Sequence, residues 1–485
     1  MDNRTPQHKP SEKKSFNSLK RKGVEHGFSV ISTAILMVVF FLIALFLIVF
    51  PRSTVSNIEK RKLAAFPEFS LESYFSGAFT AGITNYYDDT VPYRDEFKNM
   101  GNNFKSLFGF HTDDEVKVVG NPAKKPTKVE NSQPAKEESK PTETSKPETS
   151  SETSEQTSTE EESSHRDYRG EYADYSVENG IIVVKQDGHY RAMELLGGGT
   201  GNAYTAALQS IKKDLGDSVR VYSMPAPLAS EFYLPSNYSD YSVSHKEYFD
   251  NLAKKLGNSI ESINICDVLA KHQEEDIYLR TDHHWQPLGA YYAAQTFADA
   301  AGVPFADLST YEVLTKEGFV GTMYAFSGDA NILNDPETFT YYQPSNKYQT
   351  YYYDTSFNYD GTGNLLCQTD TPNAYLVFMG GDEQIVKVKT DVKNGRKLCI
   401  VKDSYGNAEV PFYTGSFEEI YVVDMRYFNL NLVDFVKQMG VTDMLFTMSS
   451  YSVYGQNADN LENLRTQAKG EKIVDEALTA KKEED

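Results

Sequence analysis

Short apolar strands alternate with helical patterns through most of the second half of the chain, and this alternation limits the possible fold more than any other feature. Strands are predicted at 219–223, 262–268, 398–401, 420–423 and 444–447, and helices at 202–215, 245–256 and 432–439. Alternation of this kind is typical of a parallel sheet covered by helices on both faces. The sequence therefore predicts an α/β fold built as an α/β/α sandwich.

Two further segments interrupt this pattern. Residues 339–360 are rich in tyrosine, and since aromatic residues favour strands, we expect a β-rich excursion from the sheet there. Stacking of the tyrosines on sugar rings is the alternative interpretation. The glycines of 197–201 precede a helix but lack the lysine and serine of a phosphate-binding loop, so we interpret this segment as an ordinary loop.

An uncharged apolar stretch at 28–50 is close to the roughly 20 residues that a helix needs to span a bilayer. It predicts an uncleaved transmembrane helix. The stretch is longer than the apolar core of a signal peptide, and 50–53 offers no small-residue cleavage site. The basic residues before it place the 1–27 tail in the cytoplasm and the bulk of the chain outside the cell: Arg4, Lys9, Lys13, Lys14, Lys20, Arg21 and Lys22.

Composition divides the extracellular part. Residues 119–166 are dominated by Pro, Glu, Ser, Thr and Lys and predict a disordered insert, because they have too few apolar side chains to form a core. The insert separates an N-terminal part, 51–118, from an α/β domain, 167–470, which a charged tail, 471–485, follows. The net charge of −21 argues against a nucleic-acid partner. The three cysteines are too few for a disulfide framework, and Cys399 is expected to be buried.

The run 281–290 brings an acid, two histidines and the only tryptophan to the start of a predicted helix. Pro287 suits the first helical position, and the helical pattern runs to a stop at Gly302. A rigid helix would therefore hold Asp282 and His284 in place.

Ser404 directly follows the 398–401 strand, and functional groups of open α/β sheets lie at such strand ends. A serine nucleophile needs a histidine to take its proton and an acid to orient that histidine, and His284 and Asp282 are the matching types. Two alternatives remain open: Ser404 as a helix cap, and the histidines as structural residues or, with Asp282, as zinc or iron ligands. No other histidine or cysteine shows ligand spacing, so no metal and no cofactor is predicted.

The 281–290 run resembles the signature of the DHHW family of bacterial membrane-anchored proteins. That family is similar to the alginate O-acetylation proteins of the SGNH-hydrolase-like superfamily. The resemblance implies a flavodoxin-like, SGNH-hydrolase-like sandwich with a permuted motif order, in which the Asp/His pair precedes the serine. It makes Ser404 the nucleophile, His284 the general base and Asp282 the orienting acid. The same resemblance is found at 59–63, 66–67, 88–95, 403–407 and 423–427.

The resemblance implies a membrane-anchored extracellular O-acetyltransferase that acts on a cell-surface or secreted polysaccharide. A multi-span membrane acyltransferase would supply the acetyl group. Expected substrate contacts are Arg426 and Trp285, with Tyr405 and Asn407 near the oxyanion. The alternatives are a carbohydrate esterase with the same triad and a non-catalytic glycan-binding or assembly protein of the cell envelope.

Overall fold

The computed structural model describes residues 33–56 without 44 and 48, 61–94, 96, 97, 100, 117–119, 175–178, 180–368, 373–468, 473 and 475. The chain divides into two compact units, 1–104 and 105–485. The predicted cytoplasmic tail lies outside the described residues. So do the predicted insert, apart from Val119, and the C-terminal tail, apart from Ile473 and Asp475.

The first unit contains the antiparallel strands β1 (Val55–Ser56) and β2 (Arg61–Lys62) and the helices α1 (Leu71–Phe75) and α2 (Ala78–Asp89). Residues 33–43 are helical as well. Within the described residues, no helix has both the length and the apolar character needed to cross a membrane. Since 28–32, 44 and 48 fall outside those residues, the transmembrane helix stays a prediction.

The second unit is a mixed α/β structure. Its strands are β3 (Lys117–Val119), β4 (Tyr175–Glu178), β5 (Ile181–Gln186), β6 (His189–Glu194), β7 (Arg220–Ser223), β8 (Glu261–Ser262), β9 (Glu312–Phe319), β10 (Glu337–Gln343), β11 (Tyr348–Tyr353), β12 (Tyr359–Gly363), β13 (Ile385–Thr390), β14 (Lys397–Lys402), β15 (Glu419–Asp424) and β16 (Asp443–Thr447). Its helices are α3 (Asn202–Leu215), α4 (Ser230–Tyr233), α5 (His245–Leu256), α6 (Cys266–Lys271), α7 (Pro287–Ala301), α8 (Met323–Ser327), α9 (Ala330–Asn334), α10 (Leu432–Met439), α11 (Ser450–Tyr454) and α12 (Asp459–Thr466).

An eight-stranded sheet in the order β12-β11-β13-β15-β14-β16-β7-β8 forms the centre of this unit. The five strands from β15 to β8 run parallel, and β13, β11 and β12 extend the sheet with antiparallel pairing. The predicted α/β class is therefore confirmed. The tyrosine-rich segment is β-structure as predicted, but β11 and β12 join the sheet instead of leaving it, and only β10 pairs outside it, with β9.

Side chains of the central strands alternate between two buried layers. In β14, Leu398 and Ile400 belong to one apolar cluster, whereas Cys399 and Val401 belong to the other. Helix α7 packs in the first layer, and α3 and α10 pack in the second. Because both faces are covered, such strands are continuous apolar runs, which made them recognisable in the sequence. The predicted burial of Cys399 is confirmed.

The strand predicted at 262–268 is wrong beyond its first residue. Strand β8 ends at Ser262, and helix α6 begins at Cys266. The side-chain oxygen of Asn264 accepts a hydrogen bond of 3.1 Å from the N–H of Cys266. Asparagine forms turns of this kind, and the turn ends the extended run before the apolar residues that suggested a longer strand.

Ser404–Tyr413 forms an irregular 3-10 helix after β14, hereafter the 404–413 segment. Glu409 in this segment is fully buried and accepts hydrogen bonds from the Thr447 hydroxyl, at 2.5 Å, and the Tyr413 hydroxyl, at 2.7 Å. Burial raises the pKa of Glu409 to about 8.

This raised pKa predicts that the protein loses stability in mildly alkaline solution. The folded state holds the Glu409 proton more tightly than the unfolded chain does. The contribution of protonated Glu409 to stability is therefore complete below the ordinary glutamate pKa and is lost as the pH rises through about 8. Calorimetry measures the drop in melting temperature between about pH 5 and about pH 9. We expect this drop to be about 5 °C larger in the full wild-type chain than in Glu409→Gln. Glu462→Gln, at an exposed position, is the control. If the melting temperature fell equally with pH in the wild type, Glu409→Gln and Glu462→Gln, Glu409 would not be the group responsible.

Candidate active site

Helix α7 begins at Pro287, as predicted, because proline needs no hydrogen-bond partner for its nitrogen at that position. It ends at Gly302, whose φ of 64° is the left-handed conformation that favours glycine at helix ends. Gly289 in its first turn lies against the preceding chain, since a Cβ there would approach the Ile277 carbonyl oxygen to 2.4 Å. The helix start is thus fixed closely against the residues that precede it.

The backbone before the helix is fixed by one carboxylate on β10. Glu337 accepts hydrogen bonds from the N–H groups of Arg280, at 2.9 Å and 3.0 Å, and of Thr281, at 2.6 Å. It also accepts one from the Thr281 hydroxyl at 2.5 Å. Glu337 therefore holds the chain at the two residues before Asp282.

Three side chains form a continuous hydrogen-bonded row. Asp282 Oδ1 lies 2.6 Å from His284 Nδ1, and His284 Nε2 lies 2.8 Å from Ser404 Oγ. Asp282 and His284 are buried, whereas Ser404 is half-buried. The structure thus brings together the three residues that the sequence proposed as acid, base and nucleophile, although Ser404 lies 120 residues beyond His284 in the chain.

The second oxygen of Asp282 is held by Thr322, which donates from its N–H at 2.8 Å and from its hydroxyl at 3.0 Å. Gly321 allows this approach, because a Cβ there would lie 2.3 Å from the Asp282 Cβ. Burial alone would raise the pKa of Asp282. Positive charge on His283 and His284, with the hydrogen bonds from His284 and Thr322, outweighs burial and holds the pKa well below its usual range. Asp282 is therefore a carboxylate at neutral pH.

Ser404 is the first residue of the 404–413 segment and not its cap. The cap is Asp403, whose Oδ1 accepts from the Tyr405 N–H at 3.0 Å. The Asp403 Oδ2 accepts from the N–H and hydroxyl of Ser449, at 2.9 Å and 2.7 Å. The capping alternative for Ser404 is thereby removed, since the neighbouring carboxylate fills that position and leaves the serine hydroxyl to the histidine.

Aromatic rings surround the row on its buried side. The Tyr375 ring stacks on His284 at 3.8 Å between centroids with an interplanar angle of 10°. The Tyr405 hydroxyl donates to the His283 carbonyl, and the Trp285 indole N–H donates to the Tyr405 carbonyl at 3.0 Å. Trp285 is fully buried, and the substrate contact expected from the resemblance stays a prediction. The hydrogen bond of Trp285 links the turn that carries His284 to the turn that carries Ser404.

Arg426 and Asn407 belong to a charged cluster beside the end of β14. Arg426 pairs with Asp424 at 2.7 Å and with Asp382 at 2.9 Å, and Lys402 bridges the same two carboxylates. Asn407 donates to Asp382 at 2.7 Å. Burial opposes these charges, yet their mutual attraction lowers the pKa of Asp382 and raises that of Lys402. The expected substrate-binding roles of Arg426 and Asn407 stay predictions.

The two histidines and Asp282 also meet the distance requirement for a metal site. Their donor atoms lie within 4.8 Å of one another. However, Asp282 Oδ1 and both nitrogens of His284 already take part in the hydrogen-bonded row that ends at Ser404. A metal ion would have to replace that row.

Activity is therefore expected to survive removal of metal ions. Dialysis of the full chain against excess EDTA should leave the hydrolysis of p-nitrophenyl acetate within about twofold of its starting value, because the serine mechanism needs no metal. Addition of Zn²⁺ to the dialysed protein should not increase the rate. Loss of activity with EDTA and its return with Zn²⁺ would favour the metal site over the row.

Three residues of the site could not be predicted from the sequence. Thr322, Tyr375 and Glu337 contact Asp282, His284 or the turn before them, but each lies far along the chain from that turn. The Gly-Thr pair 321–322 has no motif around it. Only the close approach of a glycine to a carboxylate, visible once the chain is folded, identifies it.

Comparison with known proteins found a matching family model and several similar solved structures. The DHHW protein family model matches residues 59–125 and 171–423. The structure of a DHHW family protein from Eubacterium siraeum is 48% identical, with a TM-score of 0.59, and the match covers 61% of this chain and 99% of that one. Bacillus cereus PatB1 with a sulfonyl adduct is 19% identical, with a TM-score of 0.47 and coverage of 57% and 97%. The O-acetyltransferase domain of Pseudomonas putida AlgJ is 14% identical, with a TM-score of 0.33 and coverage of 58% and 98%.

No protein with a curated description matches the chain. The family model, in contrast, matches more than half of the residues, and the match spans nearly the full length of the Eubacterium siraeum protein. The family suggested by the 281–290 run is therefore confirmed: this chain belongs to the DHHW family.

Proposed function

We propose that this chain is a membrane-anchored extracellular O-acetyltransferase that transfers acetyl groups to hydroxyls of a cell-surface or secreted polysaccharide. The observation that carries the proposal is the row of hydrogen bonds from Asp282 through His284 to Ser404, at 2.6 Å and 2.8 Å. This is the geometry in which a histidine can take the proton of a serine hydroxyl. The sequence resemblance to the alginate O-acetylation proteins supports the choice of acetyl as the group transferred.

In the first half of the reaction, Ser404 Oγ attacks the carbonyl carbon of the acetyl donor, and its proton moves to His284 Nε2. Asp282 accepts a hydrogen bond from His284 Nδ1, which keeps the ring in the correct tautomer and stabilises the imidazolium that forms. The bond to the donor's leaving oxygen then breaks, and that oxygen takes the proton from His284. The product of this half is an acetyl ester on Ser404.

In the second half, a hydroxyl of the polysaccharide gives its proton to His284 Nε2 and attacks the ester carbon. The bond between the acetyl group and Ser404 breaks, and the proton on His284 returns to Ser404 Oγ. Each half passes through a tetrahedral intermediate with a negative oxygen, which needs hydrogen-bond donors. We assign the N–H of Ser404 as one donor, because the first N–H of a helical segment has no carbonyl to bond one turn back.

Tyr405 and Asn407, expected near the oxyanion, have their own partners in this structure. The N–H of Tyr405 donates to Asp403, and its hydroxyl donates to His283. The side-chain NH₂ of Asn407 donates to Asp382. These donors are therefore engaged within the protein, and the expected role of Tyr405 and Asn407 near the oxyanion stays a prediction.

Hydrolysis is the second candidate function. Ser404 is half-buried, so water can reach the acetyl ester as well as a sugar hydroxyl can. With water as acceptor the same three residues make the protein an acetylesterase. The distinction between the two activities lies in which acceptor takes the acetyl group.

The location of the chain and the source of the acetyl group are parts of the same proposal. The apolar stretch at 28–50 and the basic tail before it support a cytoplasmic N-terminus and an extracellular second unit. An extracellular site has little access to cytoplasmic acyl thioesters, so we propose that a multi-span membrane acyltransferase relays the acetyl group to Ser404.

A partition assay tests this function. The full chain in detergent is given p-nitrophenyl acetate as donor and cellotetraose as acceptor, and nitrophenol and acetylated sugar are both quantified. Acetylated cellotetraose is expected in the wild type and in the control His272→Ala, which changes a half-buried histidine outside the row, but not in His284→Ala. Nitrophenol without acetylated sugar would favour the esterase, and the absence of both products would favour a non-catalytic glycan-binding protein.

A further inference from the structure

A cleft of about 450 Å³ lies in the second unit, a volume within the range of small-molecule binding sites. It is lined by Ile181, Glu194, Ala325, Phe326 and Tyr451. The lining residue Phe326 lies near the row of proposed catalytic residues. The ring centroid of His283 is 6.0 Å from that of Phe326 and 3.8 Å from that of His284.

One wall of the cleft is built on the residue that holds the acid. Thr322 binds Asp282 through its N–H and hydroxyl, and helix α8 starts at the next residue. The N–H of Phe326 donates to the Thr322 carbonyl at 3.1 Å, so the phenyl ring lies one helical turn beyond the threonine. The position of Phe326 is thus fixed relative to Asp282.

A second part of the lining is built on the turn that carries the serine. Ser449 binds the Asp403 carboxylate, and helix α11 with Tyr451 follows directly. The Tyr451 hydroxyl donates to the Leu195 carbonyl at 2.8 Å, next to Glu194 at the end of β6. Both parts of the lining are therefore anchored to the two turns that carry the proposed acid and nucleophile.

The lining residues have the chemistry of a site for an uncharged sugar. Phe326 and Tyr451 are 45% and 38% exposed, and aromatic faces of this kind can pack on the apolar face of a sugar ring. The Glu194 carboxyl can form hydrogen bonds with sugar hydroxyls. None of the described residues that line the cleft is a lysine or arginine.

Charge around the cleft disfavours an acidic sugar. Burial raises the pKa of Glu194, positive charge on His283 opposes that shift, and the carboxylates of Asp282 and Asp403 add to it. A uronate bound here would lie against the carboxyl of Glu194 without a lysine or arginine in the lining to pair with it.

We propose that this cleft binds the acceptor polysaccharide through a neutral sugar ring that packs on Phe326 and Tyr451 and donates a hydroxyl hydrogen bond to Glu194. The inference rests on the proposed function, because the acceptor that it names is the acceptor of the proposed transferase. It also restricts the substrate class, since polymers made only of uronates are excluded from this site.

Binding to a catalytically silent protein tests the cleft. Full-length Ser404→Ala in detergent is titrated with cellotetraose, N-acetylchitotetraose and tetragalacturonate, and dissociation constants are measured by saturation-transfer NMR. At least one neutral tetrasaccharide is expected to bind about tenfold more tightly than tetragalacturonate. Adding Phe326→Ala should weaken that binding about three- to tenfold, whereas Leu333→Ala, an exposed residue that does not line the cleft, should not change it. Glu194→Gln should reduce the ratio between the dissociation constants of tetragalacturonate and of the neutral tetrasaccharide.

The proposal is overturned if neither neutral probe binds, if tetragalacturonate binds as tightly, or if Phe326→Ala and Leu333→Ala behave alike. Failure of the proposed function is seen separately, because binding to Ser404→Ala needs no chemistry. Phe326-dependent binding without acetyl transfer in the wild type would contradict only the transferase. Acetyl transfer in the wild type, together with sugar binding that Phe326→Ala does not change, would contradict only the proposal that the cleft binds the acceptor.

Discussion

Replacing Ser404 by alanine is expected to lower the turnover of p-nitrophenyl acetate by at least about 10³-fold, because no other hydroxyl lies in hydrogen-bond contact with His284 among the described residues. The fold should not change, since Ser404 is half-buried and Asp403, not Ser404, caps the segment. We expect the melting temperature to stay within about 2 °C of the wild type. Steady-state kinetics and calorimetry on the same preparations measure both quantities.

Ser416→Ala is a matched control for this variant. Ser416 is buried a few residues beyond the 404–413 segment, and its hydroxyl has no hydrogen-bond partner among the described residues, so its removal should leave turnover within about twofold. If Ser404→Ala and Ser416→Ala had the same turnover, the hydroxyl of Ser404 would not be the nucleophile.

Asp282→Asn is expected to have the second largest effect, a fall of about 10³- to 10⁴-fold in kcat with little change in KM. The asparagine side chain has the same size, but its NH₂ group can donate to His284 Nδ1 where the carboxylate accepts. The histidine would then carry its proton on Nε2 and could no longer take the proton of Ser404. The loss therefore appears in the chemical step more than in substrate binding.

A second histidine–aspartate pair supplies the control. His189 Nδ1 lies 2.9 Å from Asp335 Oδ1 in the second unit, where His189 is exposed and Asp335 is half-buried. Asp335→Asn removes the same type of contact away from Ser404, and kcat should stay within about twofold. Similar losses of kcat in the two variants would show that Asp282 acts through general stability and not through His284.

The fold could be predicted where local pattern and tertiary structure agree. The strands β14, β15 and β16 are buried on both faces, so each is an uninterrupted apolar run in the sequence. Helix α10 was recognisable from its apolar spacing and from Gly440, which ends it in the left-handed conformation. The antiparallel pairing of β11 with β13 could not be predicted, because register between distant strands leaves no local signal.

The site was predicted only in part, for a related reason. Asp282 and His284 stand two residues apart at a helix start, and Ser404 stands at a strand end, so each position carries a recognisable local signal. Thr322 and Tyr375 act on the same groups through contacts between distant segments, and a threonine or tyrosine in a loop has many other uses. Trp285, the only tryptophan of the chain, is a buried link between the turn that carries His284 and the turn that carries Ser404.

The most direct test of the triad is mass spectrometry of the full chain after brief exposure to p-nitrophenyl acetate and acid quenching. The wild type should show an acetyl group, an increase of about 42 Da, on the peptide that contains Ser404, because the proposed mechanism passes through an acetyl ester on that residue. The adduct should be absent from Ser404→Ala and should disappear when an acceptor sugar is added before quenching. An unmodified Ser404 in a protein that still turns over the ester, or an equal adduct in Ser404→Ala, would contradict nucleophilic catalysis by this serine.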